Sequence, residues 1–212
     1  MNLIINNYER IKKLVNDTNI NIIAVSKSFK YDYIEPLVQY GHKHFGENKV
    51  QEAKNKWLQI KENIPDIKLH MIGKLQSNKA KDAVELFEYI HSVDNPKLAI
   101  LLSKYEKLLK KNRKYFIQVN LGNEKQKNGI DFENLDKFYY FCARELNLDI
   151  VGLMAIPPND GKESLYFKKL MELNLSLDLK ELSMGMSNDF QEALKYQATF
   201  LRIGSAIFGN RA

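Results

Sequence analysis

The sequence predicts a single (β/α)8 barrel with an extra amino-terminal helix, and three observations carry that reading. Eight short strand candidates recur along the 212 residues. Amphipathic helical patterns separate them, as parallel strands joined by right-handed crossovers require. No composition break, long linker or low-complexity stretch divides the chain. Residues 1–212 are therefore expected to form one domain whose units close on themselves, with an open doubly wound sheet as the structural alternative.

The elements follow in order. An opening helix is expected around Leu3 to Val15, where apolar residues recur at helical spacing. Strands are expected at 22–27, 43–46, 68–73, 89–93, 115–121, 149–155, 181–184 and 200–204. Between them Val50, Ala53 and Trp57 fall on one helical face, then Leu98, Leu101, Leu102 and Tyr105, then Leu135, Phe138, Phe141 and Cys142.

Composition narrows the class. A chain that is 44% hydrophobic and 27% charged is ordinary globular material rather than a disordered segment, and its length allows a core without disulfides. The single cysteine, Cys142, reads as a small core residue and cannot form an internal disulfide, which suits a reducing compartment. The start Met1 to Asn7 is too short and polar for a signal peptide, and no apolar run approaches the ~20 residues of a membrane span. A cytoplasmic protein without membrane contact is expected. Net charge +6 and a pI near 9.1 invite a nucleic-acid reading. Only five of the 32 basic residues are arginine, however, and the lysines are scattered, which argues against a specific nucleic-acid reader. The densest cluster, Lys110-Lys111-Asn112-Arg113-Lys114, reads as a solvated turn. A basic surface suits attraction of a phosphorylated anion instead.

Chemistry points to Lys27, where the apolar run Ile22-Ile23-Ala24-Val25-Ser26 ends. Burial brings a lysine from ~10.4 toward ~7 to 8 and exposes the free amine that a Schiff base needs, whereas an ordinary loop lysine stays charged. Strand alternation places Ile23, Val25 and Lys27 on one side. Two later segments, Leu182-Ser183-Met184-Gly185-Met186-Ser187-Asn188 and Leu201-Arg202-Ile203-Gly204-Ser205-Ala206-Ile207-Phe208-Gly209, each read as a strand running into a Gly/Ser turn that opens a helix. Such turns present amides and hydroxyls to an anion, so together they form a phosphate cup. Neither has Walker or dinucleotide spacing. In a barrel, reactive groups gather at the carboxyl ends of the strands and phosphate is often held after the seventh and eighth. Since the first and eighth strands are neighbours, Lys27 and the cup are expected at one mouth.

The ordered motifs Ala24-Val25-Ser26-Lys27, Phe45-Gly46-Glu47-Asn48 with Val50-Gln51-Glu52, His70-Met71-Ile72-Gly73 with Leu75-Gln76-Ser77-Asn78-Lys79, Gly152-Leu153-Met154-Ala155-Ile156, Ser183-Met184-Gly185-Met186-Ser187 and Arg202-Ile203-Gly204-Ser205-Ala206-Ile207-Phe208-Gly209 resemble those of the pyridoxal 5′-phosphate homeostasis protein family. The resemblance spans about residues 22 to 211. It implies a TIM barrel like the barrel domain of alanine racemase, pyridoxal phosphate held on a lysine, no established catalytic activity, and a part in balancing vitamin B6 pools. Carried over by motif, Lys27 is the Schiff-base lysine, and Ser187, Gly204 and Ser205 hold the phosphate. In the related racemase-type sites an arginine faces the pyridine nitrogen, and the resemblance makes Arg202, two residues before Gly204, the candidate for that place, with an ion pair at the barrel rim as its structural alternative. A cation there keeps the nitrogen unprotonated, which suits holding the cofactor more than carbanion chemistry. Asn48 is carried over as a further cofactor-binding residue, with helix capping as the rival role. Leu69 stands where the family often has an aromatic, and Lys74 where it often has proline.

Three enzymes compete with that reading. A pyridoxal-phosphate racemase or decarboxylase is the first. Racemization needs a base on each face of the substrate, and in alanine racemase the second comes from a partner subunit whose extra domain closes the site. Here the barrel consumes nearly the whole chain, so such activity is expected to be slow and incidental. A metal hydrolase could draw on His42, His44, His70 and His91, but the eighth strand brings no carboxylate and no metal is expected. A Schiff-base aldolase would need an acid beside Lys27, and Glu47 is the obvious neighbour. The sequence is read as a cytosolic, monomeric carrier that supplies or buffers pyridoxal phosphate for cofactor-free enzymes and is not itself an enzyme.

Overall fold

The structure, a computed structural model, describes residues 2–17, 19–122 and 128–209. The short strand β1 (Asn21–Val25) pairs in parallel with β2 (His44–Glu47) on one side and β9 (Phe200–Ile203) on the other, Ala24 lying opposite both Phe45 and Ile203. From β2 the order continues through β3 (Lys68–Met71), β4 (Tyr89–Val93), β5 (Lys114–Asn120), β7 (Asp149–Met154) and β8 (Glu181–Met186) back to β9. All of these pairings are parallel, and that between β4 and β5 closes the ring. The expected eight-stranded barrel is therefore the fold. A two-residue strand, β6 (Ile130–Asp131), runs beside the end of β5 and was not anticipated, being too short to leave a pattern.

The boundaries differ most where the chain leaves the barrel. β1 stops at Val25 rather than at Lys27 because the backbone turns: Ser28 adopts φ 68°, and the Phe29 N–H donates to the Ser26 carbonyl at 3.2 Å. β3 and β9 likewise end before their glycines, while β8 runs on to Met186.

The helices are α1 (Leu3–Val15), α2 (Tyr31–Gln39), α3 (Val50–Asn63), α4 (Ala80–Leu86), α5 (Pro96–Leu109), α6 (Leu135–Tyr140), α7 (Glu163–Ser176), α8 (Phe190–Leu194) and α9 (Ser205–Phe208). Local chemistry sets their starts: the Asn2 side chain accepts the Ile4 N–H at 2.8 Å, and the Asn95 side chain accepts the Leu98 N–H at 2.9 Å with Pro96 in the first turn of α5. The apolar stripes face the sheet, with Val50, Ala53, Trp57, Leu98, Leu102, Leu135, Phe138 and Cys142 buried. Burial pushes the Cys142 thiol up to about 12, so it behaves as a packing residue. Because α9 has only four residues, the amino-terminal helix takes the eighth place in the outer ring. α1 touches α2, α8 and α9, and the Asn7 side-chain amide donates to the Ile207 carbonyl at 3.0 Å.

Two layers of core result. The larger lies between sheet and helices, around Phe45, Trp57, Phe87 and Phe167; the smaller fills the barrel with Ile23, Phe116, Met154 and Phe200. Among the described residues no helix is long and apolar enough to cross a membrane.

Candidate functional site

A cavity of about 820 Å³ opens at the carboxyl ends of the barrel strands, and Lys27, Asn48, Ser187, Arg202, Gly204 and Ser205 all line it. The six residues that the sequence singled out, spread over nearly the whole chain, are thus brought to one place by closure of the ring between β1 and β9.

Lys27 is half-buried in the turn after β1. The residue before it is fixed from three directions. The Ser26 N–H donates to the Gly46 carbonyl at 3.0 Å, its hydroxyl donates to Glu47 Oε1 at 2.7 Å, and its carbonyl accepts from Lys56 Nζ at 2.8 Å. Glu47 is fully buried, and the same Oε1 also accepts from Lys56 Nζ and from Trp57 Nε1, each at 2.9 Å. The Ser28 N–H donates to Glu52, which completes the anchoring of the turn. Glu47 does not line the cavity, so the acid that an aldolase would require beside Lys27 is turned away from it, into the wall formed by α3.

Asn48 lines the cavity instead of capping a helix: α3 begins at Val50, Lys49 occupies the cap position, and no side chain caps it. Its backbone lies close to the end of β3, where a Cβ on Gly73 would come within 2.4 Å of the Asn48 carbonyl oxygen. Only glycine leaves that space.

Ser187 and the turn after β9 meet as a pair. Ser187 Oγ accepts the Gly204 and Ala206 amides at 3.2 Å each, so two backbone donors converge on one oxygen at the cavity wall. A hydroxyl that accepts two amides keeps its own proton for a further acceptor. Ser205, between them, is exposed.

Arg202 points into the barrel and is only 4% exposed. Its Nη1 donates to Ser183 Oγ at 2.7 Å and its Nη2 to the Ala155 carbonyl at 2.9 Å. Among the described residues no carboxylate pairs with it, so the rim ion pair weighed as its alternative role is absent there. Burial lowers its pKa to about 10, and the nearby Asp189 opposes that shift, so the guanidinium stays charged at neutral pH.

The four histidines are engaged in hydrogen bonds within the fold. β2 begins at His44, and His42 turns back, with Nε2 donating to the His44 carbonyl at 2.8 Å and Nδ1 against the Tyr8 hydroxyl at 3.1 Å. His44, His70 and His91 form a row across the barrel interior. Among the described residues no three His, Cys, Asp or Glu side chains are placed to hold a metal ion. Sequence reasoning missed the roles of Lys56, Trp57 and Ser183. Each acts on a residue of a different element, and no local spacing announces such a contact.

Comparison with known proteins places these features. The family model described as alanine racemase, N-terminal domain, matches residues 1–212. The pyridoxal phosphate homeostasis protein of Vibrio cholerae is 37% identical over 204 residues, covering 92% of this chain and 86% of that protein. PipY of Synechococcus elongatus, solved with pyridoxal phosphate bound, superposes with a TM-score of 0.87 at 35% identity, covering 96% of this chain and 100% of that one. Alanine racemase of Corynebacterium glutamicum shares the fold, with a TM-score of 0.71 at 16% identity over 99% of this chain and 60% of that one.

Proposed function

This chain belongs to the pyridoxal phosphate homeostasis protein family, and we propose that it holds pyridoxal 5′-phosphate as a Schiff base on Lys27 and buffers or supplies it within the cell. The observation that carries the reading is the convergence of an amine, a pair of amides and a buried guanidinium on one cavity. That donor set fits the cofactor. Lys27 offers the amine for its aldehyde. The Gly204 and Ala206 amides already meet at a single oxygen, as they would at a phosphate oxygen, and the Ser187 and Ser205 hydroxyls add donors. Arg202 offers a permanent donor to the pyridine nitrogen, and Asn48 remains a further contact on the β2 side.

When bound, the cofactor supplies an aldehyde that captures amines and a ring whose power as an electron sink depends on protonation of its nitrogen. A guanidinium titrating at about 10 does not surrender its proton to that nitrogen at neutral pH and electrostatically disfavours a second positive charge beside it. The proposed role is that of a cytoplasmic, monomeric carrier that passes cofactor to cofactor-free enzymes rather than that of an enzyme.

The absorption spectrum of purified, cofactor-loaded protein, taken before and after borohydride and followed by peptide mapping, tests the assignment. Lys27 is expected to carry the reduced adduct, and Lys27→Ala to lose it while retaining the wild-type circular dichroism. Trapping at another lysine would overturn the site. Multiple turnovers with amino acids at ~1 to 1,000 per second, abolished in Lys27→Ala, would make the protein an enzyme.

A further inference from the structure

The barrel interior holds three imidazoles in an unbroken hydrogen-bonded row. His44 Nδ1 lies 2.9 Å from His70 Nε2, His70 Nδ1 lies 2.9 Å from His91 Nε2, and His91 Nδ1 lies 2.8 Å from Ser183 Oγ. The row ends on Arg202, whose Nη1 is 2.7 Å from the same serine oxygen. Ring packing holds it in place: His70 stacks on Tyr89 with centroids 4.4 Å apart, and His91 on Phe116 at 4.3 Å. At its other end His44 borders a second cavity of about 520 Å³ at the amino-terminal mouth, beside Lys12 and Lys43.

We propose that Ser183, His91, His70 and His44 form a one-way donor chain leading away from Arg202, in which Ser183 and His91 are positioning residues that hold the guanidinium toward the cavity in place of a carboxylate.

Donor counting fixes the direction. A guanidinium only donates, so Ser183 Oγ accepts from Arg202. The serine proton then has one acceptor among the described residues, His91 Nδ1. His91 must therefore carry its proton on Nε2 and donate to His70 Nδ1, and His70 must donate from Nε2 to His44 Nδ1. All three rings are Nε2–H tautomers, and His44, the last of them, borders the second cavity. The opposite polarity would leave the proton of the fully buried Ser183 without an acceptor, the more costly arrangement. It would also aim the positive ends of the dipoles at Arg202. In the outward polarity every bond presents its negative end to the cation, and bonds so aligned polarise one another. Burial holds His70 and His91 neutral, as a chain of single donors requires.

The chain also explains how a buried arginine manages without an ion pair among the described residues. A carboxylate at Ser183 would neutralise the guanidinium and draw it from the cavity. A hydroxyl backed by neutral imidazoles stabilises the charge and leaves it available to an incoming acceptor.

Long-range 1H–15N correlation spectra of the full, cofactor-free chain test the direction without a variant and independently of the cofactor reading. His44, His70 and His91 are expected to show a bare Nδ1 and a protonated Nε2, and an Nδ1–H tautomer or an imidazolium at His91 at neutral pH would overturn the proposal. The positioning role rests on the cofactor reading and is tested with Ser183→Ala loaded with pyridoxal phosphate. Borohydride trapping at Lys27 should persist, while affinity falls about tenfold and the cofactor absorption band and its pH midpoint shift. An unchanged band, midpoint and affinity would overturn it. Failure of trapping in the wild type would instead sink the cofactor reading and leave the tautomer result standing.

Discussion

Lys56 Nζ lies 2.9 Å from Glu47 Oε1 and 2.8 Å from the Ser26 carbonyl, so one lysine on α3 ties together the ends of β1 and β2 immediately behind Lys27. The two side chains are 7% and 0% exposed. Removing one partner of such a pair strands a buried charge, at a cost of about 3 to 5 kcal/mol. Lys56→Met is expected to lower stability in urea by that amount and to loosen the Lys27 turn. A loss below about 1 kcal/mol would mean that Trp57 and Ser26 suffice to hold the carboxylate.

Gly73 is the second test of the wall. A methyl group there would sit 2.4 Å from the Asn48 carbonyl oxygen, a backbone atom without freedom to step aside. Gly73→Ala should cost about 1 to 3 kcal/mol of stability by overpacking and weaken cofactor binding by displacing Asn48. Retention of wild-type affinity despite the stability loss would remove Asn48 from the binding set.

The two cup serines should behave differently. Ser205→Ala removes an exposed donor and is expected to weaken binding about tenfold, as loss of a charge-assisted hydrogen bond does. Ser187→Ala also removes a hydroxyl, but it releases the Gly204 and Ala206 amides that the hydroxyl oxygen now occupies. These can turn to a phosphate, so its effect on affinity should be smaller, and the larger penalty should fall on the cofactor-free protein. Titration calorimetry with both variants and thermal unfolding without cofactor measure the contrast, and equal affinity losses would refute it.

Acid should unfold the protein through its histidines. Burial lowers His42 to about 4 from its ordinary 6.5, and a hydrogen bond to the His44 carbonyl offsets only part of that. The unfolded chain takes up this proton near pH 6.5, and the folded chain resists until about pH 4. The stability contribution is thus complete above pH 6.5 and falls by about 1.4 kcal/mol per pH unit between those values. His44 is lowered to about 4 as well, chiefly by burial, and His70 and His91 shift in the same direction, which steepens the loss. Urea midpoints that stay flat from pH 7.5 to 5 would contradict this.

The sequence by itself determined the barrel, because strand and helix periods are local and eight repeats of one unit leave few ways to close. It also located the six cavity residues, since a lysine ending an apolar strand and two Gly/Ser turns are local signals, and the family motifs named Arg202 and Asn48. Strand ends were less legible: the left-handed Ser28 that stops β1 before Lys27 is a backbone choice with no glycine to mark it. Only the tertiary structure decided what stands behind the cavity. Glu47 could be an acid at the site or a buried anchor, and packing of Lys56 and Trp57 from α3 made it the anchor. The histidines could have been metal ligands. Closure of β2, β3, β4, β8 and β9 into one ring set them side by side with Ser183 and Arg202, and polar side chains drawn from five strands into the barrel interior satisfy their hydrogen bonds with one another, contacts between elements that no local spacing marks.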